Sequence, residues 1–154
     1  MLGTRFTVTA FPQASSVTVA VKSGKVSVYT QSVKDSGLPQ TEKIVLTPNH
    51  QAVYERTQRK VLRALVKEPE LIISKEEVNG IRFEGESVYT IFNAIEKMYG
   101  VEIDFDEELF SRCLITTSVS GDDLYGRIAV ICKITGASYT VEGTTIIITG
   151  TGCN

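Results

Sequence analysis

The chain has 154 residues, 42% of them apolar and 22% charged, with a formal net charge of −2. That length supports one sizeable domain or two small ones, and the composition is that of a soluble globular protein. The charge gives no general attraction to nucleic acid or anionic lipid, and there is no run of about eighteen apolar residues of the kind that spans a membrane.

No signal peptide precedes the first strand pattern. Met1 to Thr4 lead straight into it, as expected of a piece excised from something longer. Residues 1 to 66 read as β. Phe6, Val8 and Ala10 alternate with Arg5, Thr7 and Thr9, and Val17, Val19 and Val21 repeat the period of two. Ser23-Gly24 then reads as the turn of a hairpin into Val26 and Val28. Gln31 to Glu42 is rich in Ser, Gly, Pro and charge and reads as a loop. Ile44 to Leu46 and Ala52 to Glu55 are short strands separated by Thr47-Pro48-Asn49. Lys60 to Lys67 fits either period and is read as a strand, because Thr57-Gln58-Arg59 forms a hairpin-like break before it. Strands this short and frequent predict a wound or sandwiched sheet. Pro69 begins a linker that runs to Gly80, so the expected domains are 1–68 and 81–150.

The second half contains one unit twice, at an offset of 121 − 85 = 36 residues. Gly85, Tyr89, Ile95, Lys97 and Gly100 meet Gly121, Tyr125, Ile131, Lys133 and Gly136. Val88, Ile91, Phe92, Ile95 and Tyr99 fall on one face of a helix, with Ser87 as its N-cap and Gly100 as its left-handed terminator. In the second copy Asp122 or Asp123 caps, Leu124, Ile128, Ile131 and Cys132 form the stripe, and Gly136 closes it. Val101, Ile103 and Phe105 alternate with Glu102, Asp104 and Asp106 in the strand that follows the first helix, and Tyr139 and Val141 repeat that pattern. Ile146 to Ile148 should be central and covered on both faces. The fold class is therefore α+β: an all-β region followed by a small double βαβ module.

Candidate chemistry is sparse. His50, the single histidine, sits in a polar loop without a nameable partner, and a general base needs one. Asp104, Asp106, Glu107 and Glu108 cluster at a strand end and helix start, without the central glycine of a calcium loop. Arg56, Arg59, Lys60, Arg63 and Lys67 lack the interleaved aromatics of a nucleic-acid groove. Gly85-Glu86-Ser87 and Gly121-Asp122-Asp123 precede helices, yet their acids suit the helix dipole and repel phosphate. Cys132 reads as a buried free thiol, Cys113 opens a strand and Cys153 lies in the tail. A Cys113–Cys132 disulfide is open to an oxidising compartment. No metal site, cofactor, small-molecule substrate or catalytic set emerges, and the chain reads as a non-enzyme.

The order of motifs resembles the FecR family of anti-sigma regulators. The residues that carry it are Leu2 to Phe11, Val19 to Val28 and Leu46 to Tyr54, then Ile81-Arg82-Phe83-Glu84-Gly85 and the helix ending Met98-Tyr99-Gly100-Val101. Two departures stand out: no tryptophan precedes the C-terminal module, and the cytoplasmic, membrane-spanning and first periplasmic β segments lie outside this sequence. The resemblance implies a periplasmic location in a protein anchored by one inner-membrane helix. It also implies two partners: the signalling domain of an outer-membrane TonB-dependent transporter, and a sigma factor reached through a cytoplasmic segment. The C-terminal module is similar to the short N-terminal domain of secretins and TonB-dependent receptors, so a receptor-type assembly module is the alternative. A carbohydrate-binding β domain is a third class, for which exposed aromatics are lacking. The partner is expected to add a strand to an exposed edge. Val101, Glu102, Ile103, Asp104 and Phe105 are the first candidates, because outward charges guard edge strands. Thr116, Thr117 and Ser118 are the second.

Overall fold

The computed structural model describes residues 3–33, 37–118 and 123–153. The chain divides into two compact units, Met1–Val66 and Lys67–Asn154.

The first unit is all β. Strands β1 (Arg5–Ala10), β2 (Ser16–Ser23), β5 (His50–Glu55) and β6 (Lys60–Leu65) form an antiparallel sheet in the order β1-β2-β5-β6. Among the described residues, strands β3 (Val26–Val33) and β4 (Pro39–Leu46) pair only with each other. The core forms where alternating residues of the sheet meet the ribbon: Val21 and Ala52 from one, Ile44 and Leu46 from the other, flanked by Val19, Val26, Val28 and Val61. This is the expected sandwich, with a different pairing. Ser23-Gly24 does not close a hairpin, because β2 pairs with β1 and β5 while β3 leaves for the second layer. Gly24 has φ +79°, and a Cβ there would lie 2.5 Å from the Thr4 hydroxyl, so only glycine fits the crossing. In the polar stretch from Gln31 to Glu42, residues 31–33 and 39–42 are strand, since polar residues suit a solvated ribbon. Lys60 to Leu65 is a strand, with Arg59 at φ +50° in the turn before it. Asn49 takes φ +68° in the Thr47-Pro48-Asn49 turn. It is buried, its N–H donates to the Val21 carbonyl at 3.1 Å, and its own carbonyl accepts from Val66 N–H at 2.9 Å.

The second unit starts earlier than its repeat. Helix α1 (Lys75–Asn79) occupies the stretch read as a linker, with Ser74 and Glu77 forming a capping box. Ile72 N–H donates to the Met98 carbonyl at 2.8 Å, which ties this segment to the repeat. The repeat follows: β7 (Arg82–Ser87), α2 (Val88–Tyr99), β8 (Glu102–Asp104), α3 (Glu107–Ser111), β9 (Leu114–Ser118), α4 (Leu124–Thr135), β10 (Ser138–Glu142) and β11 (Thr145–Thr149). The helix stripes are buried as expected, and both helices end at left-handed glycines, Gly100 (φ +64°) and Gly136 (φ +67°). Ser87 caps α2 by accepting from Thr90 N–H, and Asp123 caps α4 by accepting from Gly126 N–H at 2.7 Å. Gly121 and Asp122 lie outside the described residues.

The two strands of each β-α-β unit join different sheets. β7 pairs antiparallel with β9, while β8, β11 and β10 form a three-stranded sheet in the order β10-β11-β8. β11 is central, antiparallel to β10 and parallel to β8. Ile146 and Ile148 are buried on one face, while Ile147 is half-buried on the other.

Candidate functional site

Among the described residues, β10 and β8 are the two edges of the three-stranded sheet, and β8 has β11 on one side only. It is three residues long, and its side chains divide cleanly. Val101 and Ile103 are buried, Ile103 to 5% exposure, while Glu102 and Asp104 face solvent. Phe105, itself half-buried, follows and joins a cluster of rings. Its centroid lies 5.0 Å from Phe92, 5.9 Å from Tyr89 and 6.2 Å from Phe110. The chain then turns through Asp106, whose carboxylate accepts from Leu109 N–H at 3.0 Å and so caps α3. Glu107 and Glu108 occupy the first turn of that helix, where its dipole favours negative charge. The acidic cluster is thus an exposed strand end and helix start, and Glu108 is paired with Arg112 at 3.3 Å.

The backbone on the free side of β8 is partly occupied. Ile103 N–H donates to Oε1 of Glu96 at 2.7 Å, and Val101 N–H donates to the Glu96 carbonyl at 3.3 Å. Sequence reasoning missed Glu96. The available signal was the repeat itself, because position 96 aligns with Cys132, so a carboxylate stands where the other copy has a thiol.

The second predicted stretch lies in the other sheet. Thr116 and Ser118 are exposed and Thr117 is half-buried, on β9 opposite β7. The Thr116 hydroxyl accepts from Gly85 N–H at 3.0 Å, where β7 bulges and Gly85 takes φ +62°. The structure therefore does not bring Val101–Phe105 and Thr116–Ser118 into one surface strand.

The remaining candidates are structural. His50 is a half-buried residue opening β5, with Nδ1 2.9 Å from the Pro48 carbonyl and 3.2 Å from the Thr47 hydroxyl. It is a turn residue rather than a solvated loop residue, since the tight Thr47–Asn49 turn folds it back on its own backbone. Arg56 and Arg63 donate to the Pro12 and Val45 carbonyls, each at 3.1 Å. Cys132 is a buried free thiol, and burial pushes its pKa up. The disulfide joins Cys113 to Cys153, not to Cys132. β11 carries the tail back so that the two Cα atoms are 5.3 Å apart, and Cys153 N–H points at the Cys113 sulfur. Among the described residues no cluster of His, Cys, Asp or Glu is placed to hold a metal, and no helix is long and apolar enough to cross a membrane. A cavity of about 20 Å³ between Phe83, Ile91, Arg127 and Ile131 has room for about one water.

Fold and site together define an α+β module made of two repeated β-α-β units, with a short sheet edge rather than a reaction centre as its most distinctive open feature. Residues 80–148, a little under half of the chain, match the family model for the FecR C-terminal region. No curated protein sequence matches the chain. It is similar to two crystal structures, at 1.65 and 2.50 Å resolution, of a provisionally assigned anti-sigma factor from Parabacteroides distasonis. Each is 20% identical with a TM-score of 0.43. The match covers 97% and 96% of this chain and 66% and 64% of those chains, so this sequence spans slightly under two thirds of their length.

Proposed function

We propose that this chain is the periplasmic sensor region of a FecR-like anti-sigma regulator. It binds the signalling domain of an outer-membrane TonB-dependent transporter, and the regulator relays the transporter's state to a sigma factor through a cytoplasmic segment. The role is recognition, not catalysis. The observation that carries the reading is the FecR C-terminal family match over residues 80–148. The Cys113–Cys153 disulfide supports the periplasmic part of it, because such bonds persist in oxidising compartments and are rare in the bacterial cytoplasm. The free side of β8 supports the recognition part, since an extended segment can add to such an edge through main-chain hydrogen bonds.

The test is calorimetric titration of the whole chain with the purified signalling domain of a TonB-dependent transporter from the same organism. Saturable one-to-one binding that persists in moderate salt is the expected result. An absence of heat and of any co-elution at high concentration would overturn the reading.

A further inference from the structure

A β-strand directs the N–H and C=O of one residue to one side and those of the next residue to the other. In β8 the Ile103 amide is held by Glu96, so it points away from β11, while the backbone groups of Glu102 and Asp104 serve the parallel ladder. The edge-facing donors of this segment are therefore those of Val101 and Ile103, and one residue takes both. The Glu96 carbonyl accepts from Val101, as it does from Gly100 at 2.7 Å, and the Glu96 carboxylate accepts from Ile103. The 2.7 Å separation is that of a charge-assisted hydrogen bond.

The repeat provides an internal comparison. In the second copy the Cys132 carbonyl accepts from both Gly136 and Ala137, the latter at 2.8 Å. The main-chain part of the arrangement thus belongs to both helix ends. The carboxylate belongs to the first alone, because Cys132 carries a thiol there.

We propose that Glu96 is a displaceable cap on the β8 edge. A partner strand adds to β8 by putting its own main-chain carbonyl on Ile103 N–H while the Glu96 side chain, already half-exposed, turns out to solvent. The cap slows pairing with any passing strand, in the way that inward charges protect other sheet edges. The inference rests on the reading of the C-terminal unit as the partner-binding part.

The surroundings specify the partner's chemistry. On one face of β8 stand the exposed carboxylates of Glu102 and Asp104, with Glu107 close behind in sequence. On the other face Ile103 is buried and Phe105 is only half-buried. The occupant that fits is an extended segment of the signalling domain in which lysine or arginine alternates with apolar residues. The basic side chains would meet the carboxylates, and the apolar ones would extend the ring cluster over Phe105.

The experiment compares the whole chain with Glu96→Ala and Glu96→Gln, using the purified signalling domain as probe. Amide hydrogen exchange is followed by NMR, and association by stopped flow. In the free protein Glu96→Ala should speed exchange at Ile103 by about tenfold or more while the β11 amides keep their protection. It should also raise the association rate by about tenfold, with a matching gain in affinity. Glu96→Gln retains an acceptor at the same reach and should stay close to the parent in both measurements, which separates the cap from a general loss of packing. Ile103 should regain protection in every complex. If Glu96→Ala binds but Ile103 exchanges as fast in its complex as in the free variant, or the β10 amides become protected instead, the cap is overturned while the partner reading survives. If neither the parent nor the variants bind, the partner reading fails and the recognition role of the cap falls with it.

Discussion

Removing the disulfide by Cys153→Ser should destabilise the C-terminal unit more than any other single exposed substitution. The bond closes a loop between residues 40 apart in sequence, and that loop contains β9, α4, β10 and β11. In the chain-entropy account, opening a loop of this length releases about 4 kcal/mol of constraint from the unfolded chain at 25 °C. For a domain of under a hundred residues this corresponds to a fall of roughly 15–30 °C in melting temperature. Cys153 is the position to change because it is exposed, whereas Cys113 is fully buried and its replacement would disturb the core as well. The assay is a thermal melt of parent and variant under oxidising conditions, repeated in excess reductant. Reductant should bring the parent down to the variant and leave the variant unmoved. If parent and variant melted within about 2 °C of each other without reductant, the tail would not be constraining the unit and the reasoning would be refuted.

Three further outcomes follow from particular side chains. Ile95→Ala and Ile131→Ala, at equivalent buried positions of the repeat with 2% exposure each, should each cost about 2–5 kcal/mol in denaturant unfolding. Lys97→Ala and Lys133→Ala on the outer faces should stay within about 0.5 kcal/mol, and a larger loss at Lys97 than at Ile95 would break the repeat alignment. Cys132 should resist iodoacetamide at neutral pH in the native protein and react on unfolding, since burial both shields the thiol and raises its pKa; rapid native labelling, read by mass spectrometry, would contradict its placement. The Glu77 carboxyl is held below its usual range, first by the Ser74 backbone N–H and then by the Ser74 hydroxyl. Its contribution to α1 is therefore complete above the ordinary carboxylate pKa and is lost as pH falls through the lowered one. Exchange of the first-turn amides of α1 should accelerate across that acidic window, relative to Glu77→Gln, and an identical profile in both proteins would exclude the capping box as the cause.

Local signals carried most of the second unit. The stripes of α2 and α4, Ser87 and Asp123 as caps, Gly100 and Gly136 as terminators, and the central place of β11 all follow from patterns a few residues long. What failed depends on partners far away in sequence. Ser23-Gly24 has the composition of a hairpin turn, but β2 finds β1 and β5, and only the proximity of Thr4 explains the glycine. The polar β3–β4 ribbon carries the residues of a loop, because solvated strands do not need apolar alternation. Cys153 could be matched to Cys113 only once β11 was known to lead the chain back past α3.

The edge of β8 shows why a site of this kind escapes pattern reading. Apolar alternation locates the strand, and the outward acids mark it as a charged boundary of the sheet only in a general way. Whether its amides are available is decided by Glu96, a residue seven positions earlier, on a helix, outside the apolar stripe. The two copies of the repeat place their main chains alike, down to the carbonyl that receives two amides at each helix end. Repeat symmetry alone would therefore predict equal behaviour at β8 and β10. The difference lies in one side chain, and it falls on the strand with the more acidic flank. Two effects meet there: the Glu96 carboxylate occupies the donor that any extended segment would use, and Glu102 and Asp104 on the strand itself give it a negative face. Segments without basic side chains meet the first effect without the second. On this argument discrimination between partners arises from the exchange of Glu96 for a main-chain carbonyl, with the surrounding acids setting which strands make that exchange favourable.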